Sequence, residues 1–345
     1  MDHIAHPRWI AGRYGLAHLL GRGGMGSVWA ARRRDDGQLV AVKLMTPAQA
    51  ASLPARRRFA REAQAAMRLR SLHVVAVLDY GIDGDVPFIV MELLTGEDLR
   101  ARLRRKRRLT IAAAAQITAQ TCAALELAHG AGIVHRDLKP ANVFLARVGD
   151  REVVKILDFG LAFDVDPDEA SEHAEGVLLG SPHYMSPEQA RGRPLDHRTD
   201  LWSLGVLIYR MLTGAKPFGG ITVTEVLLRI CTDPVPSARA VVPELPPGID
   251  AFFERALARD PGARFQSAHE LGAAFAEVVG SEAERREALT IPPPMEVLGE
   301  SVPPPPDDDQ VPEADDTDSF DPQHDCQGRT AYRLAPSAHH SKGLL

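Results

Sequence analysis

Cysteine is scarce in this chain: three in 345 residues, Cys122, Cys231 and Cys326, far apart and none in a C-x-x-C pair. That argues against a disulfide framework and a cysteine-built zinc site, and it fits a reducing compartment. Long apolar runs are missing too. The Ala-rich segment Ile111–Ala128 comes closest, but Gln116, Gln120 and Glu126 recur through it, so it reads as a buried helix of a soluble protein. Met1–Tyr14 contains no apolar stretch of the signal-peptide kind. There is no basic excess either: the formal net charge of −6 argues against a nucleic-acid-binding surface. His3, His6, His339 and His340 lie near the termini without metal-ligand spacing. These absences lead to the expectation of a cytoplasmic protein with no membrane span.

What is present is an ordinary soluble composition, 45% hydrophobic and 25% charged, in a chain long enough to bury more than one core. Residues 14–45 alternate apolar and polar positions around a glycine cluster and continue through Leu39-Val40-Ala41-Val42, the pattern of short strands joined by turns. A helix is expected over Ala55–Leu72, with Phe59, Ala63, Ala66 and Leu69 on one face. Strands are expected at Val74–Leu78 and Phe88–Met91, with Asp83-Gly84 between them as a turn. From Leu99 onward helices dominate: Ile111–Gly130, Asp200–Thr213, Val223–Thr232, Ile249–Arg259 and Ser267–Val279, with one hairpin between Asn142 and Asp158. The whole is α+β. Beyond Ser281, proline runs and acidic clusters with few large apolar residues read as a disordered tail.

Two short strings carry chemistry. Residues 135–142 read His-Arg-Asp-Leu-Lys-Pro-Ala-Asn, and residues 158–160 read Asp-Phe-Gly. They place a carboxylate (Asp137), a cation (Lys139) and two separated metal ligands (Asn142, Asp158) where packing has no use for them, since buried charge is costly unless paired or bound to metal. Upstream, Gly21, Gly23 and Gly26 with Val28 fit G-x-G-x-x-G-x-V, glycines that let backbone N–H groups approach phosphate oxygens. Strand rather than helix follows them, which disfavours a dinucleotide-binding turn. Ala41-Val42-Lys43 comes next, and later Ser186-Pro-Glu188, Asp200-Leu-Trp-Ser-Leu-Gly205 and Asp260-Pro-Gly-Ala-Arg264.

On these motifs the chain resembles the bacterial eukaryotic-like (Hanks-type) serine/threonine protein kinases over roughly residues 14–279. The resemblance implies a bilobal fold, with a β-rich N-lobe over 14–94 carrying one major helix and a mainly helical C-lobe over 95–279. Residues 1–13 are then an extension and 280–345 the tail. It implies ATP and magnesium as cofactors, with manganese the alternative, and Ser/Thr hydroxyls of proteins as substrates. Asp137 would orient the hydroxyl, Lys139 would neutralise the transferring phosphoryl, and Asn142 and Asp158 would hold metal. Lys43 would hold phosphates and pair with Glu62. Leu20, Gly21, Gly23, Gly26, Val28, Ala41, Met91, Glu92, Leu94 and Phe144 would surround the nucleotide, with Met91 the gatekeeper and Glu92–Leu94 the hinge. Glu188 would pair with Arg264, and Asp200 would brace the catalytic loop. His135 and Phe159 would be scaffold.

Further features stand outside these motifs. Arg100–Arg108 carries seven cations in nine residues, either a solvated helix face or a docking patch for acidic substrates or the acidic tail. No threonine lies between Asp158 and Glu188; Ser171 and six acidic residues from Asp164 to Glu175 occupy that stretch, so built-in charge on Arg136 competes with phosphorylation of Ser171 as the activating device. His129 reads as a partly buried helix-end residue. A homodimer is expected for autophosphorylation between copies. The rivals are a catalytically silent nucleotide sensor, disfavoured by the full set Lys43, Glu62, Asp137, Asn142 and Asp158, and a small-molecule kinase, disfavoured by Lys139 and the docking loop.

Overall fold

The structure, a computed structural model, describes residues 8–23, 26–159 and 182–280; within this range the side chains of residues 54, 58, 61, 62 and 65 lie outside the description. The acidic stretch with Ser171, and the tail beyond Gly280, also lie outside the described residues.

In chain order the elements are β1 (Trp9–Ile10), β2 (Tyr14–Gly23), β3 (Gly26–Arg33), β4 (Leu39–Met45), α1 (Pro47–Ala50), α2 (Leu53–Arg68), β5 (Val77–Asp83), β6 (Val86–Glu92), β7 (Gly96–Asp98), α3 (Leu99–Lys106) and α4 (Ile111–Gly130). After the catalytic string come β8 (Val143–Val148), β9 (Arg151–Ile156), α5 (Pro187–Ala190), α6 (Arg198–Thr213), α7 (Val223–Thr232), α8 (Ala238–Val241), α9 (Ile249–Ala256) and α10 (Ala268–Val279). An antiparallel sheet ordered β1-β2-β3-β4-β6-β5, with α2 against it, forms the first lobe. The second lobe is helical apart from the small β7-β8-β9 sheet. The expected α+β bilobal architecture is the one found.

Each core follows its sequence pattern. Alternation in β3 and β4 points Val28, Ala30 and Ala41 into a cluster with Phe59 and Ala63 of α2. The centre of the second lobe is α6, apolar nearly all round and buried accordingly, with Trp202 stacked on Phe218 at 5.7 Å between ring centroids. It ends where Gly214 turns left-handed at φ 74°. Helix α4 is long and apolar enough to cross a membrane by length and composition, yet Ala114, Ile117, Cys122, Leu125 and Ala128 pack into the same core as α6. Burial pushes the Cys122 thiol up to about 12, which leaves it inert.

Several boundaries differ from expectation: the helix expected over Ala55–Leu72 runs Leu53–Arg68, with Leu69 already extended, and three further shifts have a visible cause. The sheet begins at Trp9–Ile10, inside the stretch 1–13 set outside the domain, because Ile10 is fully buried beneath it. The strand expected at Val74–Leu78 starts only at Val77. Val74 and Val75 are buried, but their backbone joins β9 through Val75 N–H to the Ile156 carbonyl (3.0 Å). The helix expected to reach Arg259 ends at Ala256, and Arg259 instead donates to the Ile230 carbonyl (3.2 Å) at the end of α7.

Candidate active site

The glycine motif forms the β2–β3 hairpin, with Gly21 opposite Val28 and Gly23 opposite Gly26; Gly24 and Met25 at its tip lie outside the described residues. A Cβ at Gly26 would come within 2.0 Å of the Leu44 carbonyl oxygen, so only glycine lets β3 run this close to β4. Further along, the β3–β4 register places Val28 against Lys43. Lys43 is almost fully buried, and its Nζ donates to Asp158 Oδ1 at 2.7 Å. The Glu62 side chain, expected as its partner, lies outside the described residues, although its backbone falls within α2.

The residues expected around an adenine ring converge. Leu20, Val28, Ala41, Met91 and Leu94 from the first lobe share one apolar cluster with Phe144 and Leu157 from the second. Behind Met91, a small cleft of about 20 Å³ is lined by Lys43, Ala63, Val75 and Phe159. Glu92 closes β6 and is held by segment 74–76. Its N–H donates to the Ala76 carbonyl (3.0 Å), and its Oε1 accepts from Ala76 N–H (2.8 Å) and Lys155 Nζ (2.6 Å).

The catalytic string is shaped from below. Asp200, fully buried on α6, accepts the backbone N–H of His135 (2.8 Å) and of Arg136 (2.7 Å). Those bonds hold Arg136 at φ 65°, a left-handed conformation that non-glycine residues seldom take outside functional sites. His135 is buried, with Nε2 at 2.8 Å from the Leu157 carbonyl and its ring edge-on to Phe159. Above this base Lys139 Nζ donates to Asp137 Oδ2 at 2.6 Å, and Asn142 Nδ2 donates to the Asp137 carbonyl at 2.8 Å. Leu157 N–H donates to the Asn142 carbonyl (2.9 Å), tying the string to Asp158, itself left-handed at φ 55°.

Beyond the site, Ser186 caps α5 reciprocally with Gln189. Gln189 Nε2 also reaches the Arg136 carbonyl at 2.7 Å, fastening this loop to the catalytic string. Glu188 and Arg264 form the expected pair, bidentate at 2.7 Å on both arms, with Thr199 donating to the same carboxylate. Burial pushes the Glu188 carboxyl up, but the hydrogen bonds and charge of Arg264 outweigh it and hold the group below the usual carboxylate range.

Some residues are missed or underrated by sequence reasoning. His129 Nε2 sits 2.8 Å from Asp200 Oδ2, so it supports the brace rather than merely ending a helix. Lys155 is another, and its one visible signal is a lone charge inside the run Val153-Val154-Lys155-Ile156-Leu157. In the basic run Arg102 meets Glu97 and Glu152, Arg105 meets Glu97, and Arg108 meets Glu244, so neighbouring carboxylates neutralise much of it.

Asn142 and Asp158 supply hard oxygen donors of the type magnesium takes, one or two from protein and the rest from phosphate and water. Asn142 spends its Nδ2 on Asp137, which leaves Oδ1 as the atom for a cation. Among the described residues no group of three or more His, Cys, Asp or Glu stands where it could hold a metal ion.

Comparison with known proteins agrees with this geometry. A family profile described as a protein kinase domain matches residues 14–275. A probable serine/threonine-protein kinase of Streptomyces coelicolor is 40% identical over 272 residues, covering 78% of this chain and 40% of that protein. The serine/threonine-protein kinase pkn3 of Myxococcus xanthus is 37% identical, covering 82% and 52%. The chain thus spans about half the length of these relatives, or less. The crystal structure of the Mycobacterium tuberculosis PknI kinase domain superposes with a TM-score of 0.64 at 29% identity, covering 80% of this chain and all of that one. The chain belongs to the protein kinase family, among relatives named as bacterial serine/threonine-protein kinases.

Proposed function

We propose that this protein transfers the γ-phosphoryl of ATP to serine or threonine hydroxyls of proteins, its own included, with magnesium preferred over manganese. The observation that carries the reading is the set Asp137–Lys139–Asn142 standing on the Asp200 brace beside Lys43–Asp158. The Asp137 carboxylate, partly exposed, accepts the hydroxyl proton as the new O–P bond forms and the bond to ADP breaks. Lys139 Nζ, now on Asp137, moves its charge toward the transferring phosphoryl. Lys43 holds α- and β-phosphate oxygens, and Glu62 is the carboxylate that pairs with it. Leu20, Gly21, Gly23, Gly26, Val28, Ala41, Met91, Glu92, Leu94 and Phe144 bind the nucleotide. Bound at Asn142 and Asp158, magnesium would supply charge stabilisation on the phosphate oxygens.

The domain is read as residues 14–279 with β1 added to its sheet, followed by the tail 280–345. A cytoplasmic site of action is part of the reading, since ATP and reduced thiols are found together there. Purified protein incubated with labelled ATP and magnesium should incorporate label on serine or threonine, and Lys43→Met should abolish it while remaining folded. Incorporation that rises more than linearly with protein concentration would mark transfer between copies. A silent nucleotide sensor would bind ATP and transfer nothing.

A further inference from the structure

Lys155 is a buried cation in a strand that otherwise reads as core. Its side chain is only 9% exposed, and β8–β9 pairing sets it directly opposite Phe144, so both side chains leave the same face of that sheet. Its Nζ lies 2.6 Å from Glu92 Oε1 and 3.4 Å from the Val74 carbonyl. Taking a lysine out of water is costly, and a short charge-assisted bond to a carboxylate offsets that cost at one position only.

The strand under Lys155 is itself held on both sides. Val154 N–H donates to Gln120 Oε1 (2.7 Å), the Val154 carbonyl meets His73 Nδ1 (3.1 Å), and Ile156 N–H donates to the His73 carbonyl (2.9 Å). Three residues past Lys155 lies Asp158. Lys155 therefore links a fixed strand leading to Asp158 with the residue that ends β6.

We infer that Lys155 is a positioning residue for the nucleotide: through Glu92 it sets the height of the hinge above Phe144. This rests on the ATP-binding reading above. Glu92 would present backbone groups to the adenine edge, and Phe144 would lie beneath the ring. Without the Lys155 bond Glu92 keeps its bonds to Ala76, but the first-lobe side of the slot loses one of its ties to β9. Phosphate handling by Lys43 and proton acceptance by Asp137 depend on other contacts, so the loss falls on nucleotide affinity rather than on the chemical step.

The test compares ATP titrations by calorimetry with steady-state kinetics for wild type, Lys155→Met, Lys155→Gln, Lys155→Arg and Glu92→Gln. Disturbed hydrogen bonds at the adenine edge should raise Kd and KM for ATP about tenfold in Lys155→Met, with kcat within about threefold. Lys155→Gln, still a donor, should fall between, and Lys155→Arg should recover most of the affinity. Adding Lys155→Met to Glu92→Gln should cost less than the two changes summed, because both weaken the same charge-assisted bond. A lysine with a purely structural role would lower the melting temperature and leave KM alone. Folded Lys155→Met or Lys155→Gln with ATP affinity within twofold of a wild type that binds ATP overturns this inference and spares the kinase reading. A wild type that binds no ATP overturns both.

Discussion

Two ion pairs of like chemistry do opposite work in this molecule. Glu188–Arg264 is sealed, with Arg264 fully buried, both guanidinium arms on the carboxylate, and Ala258, Arg198 and Arg259 carbonyls taking further N–H groups. Asp137–Lys139 stands half open, one contact at 2.6 Å with the two side chains 29% and 21% exposed. A pair with every donor used can only hold structure. A pair with one bond and an open face can exchange partners, and that is what a hydroxyl and a phosphoryl group would require of it. Burial and hydrogen-bond saturation therefore distinguish the two.

The largest expected effect breaks the open pair. Asp137→Asn should leave melting nearly unchanged, because little packing depends on that side chain, and should lower phosphoryl transfer by ~10²–10⁴-fold, the usual worth of a positioned base. Activity within about threefold of wild type in a phosphate-incorporation assay would remove Asp137 from its role. Arg264→Met should do the reverse. It strands Glu188 in the core, a change that costs about 3–5 kcal/mol in buried pairs, and it should appear in denaturant melts before any specific effect on KM.

The same contrast marks what sequence can and cannot disclose. Helix α4 runs as expected from Ile111 to Gly130, since Thr110 offers its hydroxyl to Ala113 N–H and Gly132 turns left-handed just past the end, all local signals. Val74 and Val75 look like strand because they are apolar, but a distant partner, β9, decides their backbone. The roles proposed for Asp137, Asn142 and Asp158 are legible because their motifs are contiguous. Those of Lys155 and His129 are not, because each depends on one residue some 60–70 positions away, Glu92 and Asp200. Such contacts exist only once distant parts of the chain have folded together.

A pH titration sharpens the sealed half of the comparison. With its folded pKa held below the unfolded value of about 4.3, Glu188 contributes stability in full above that value and loses it as pH falls through the depressed one. Glu188→Gln cannot titrate. The gap in melting temperature between wild type and Glu188→Gln should thus be widest near pH 7 and shrink below about pH 4. A gap that holds constant down to about pH 3, well below the unfolded value, would mean that the pair's charge contributes nothing and only its shape matters.

The smallest effect is expected on α3, whose cations are neither sealed nor poised. Arg102, 17% exposed, bridges Glu97 on β7 and Glu152 on β9, whereas Arg105 is mostly exposed and, among the described residues, shares only Glu97. Surface pairs contribute about 0–1 kcal/mol, so Arg102→Gln should cost up to ~1 kcal/mol. Arg105→Gln should cost less, and both losses should fade as salt rises past the Debye range. Arg104 makes no ion pair among the described residues, and Arg104→Gln should be silent in melting. If instead Arg104→Gln and Arg105→Gln together raise KM for an acidic peptide several-fold at low salt without altering stability, α3 is a docking face. Its carboxylate contacts would then be stand-ins for a substrate, and the helix would join Asp137–Lys139 among the pairs that exchange partners.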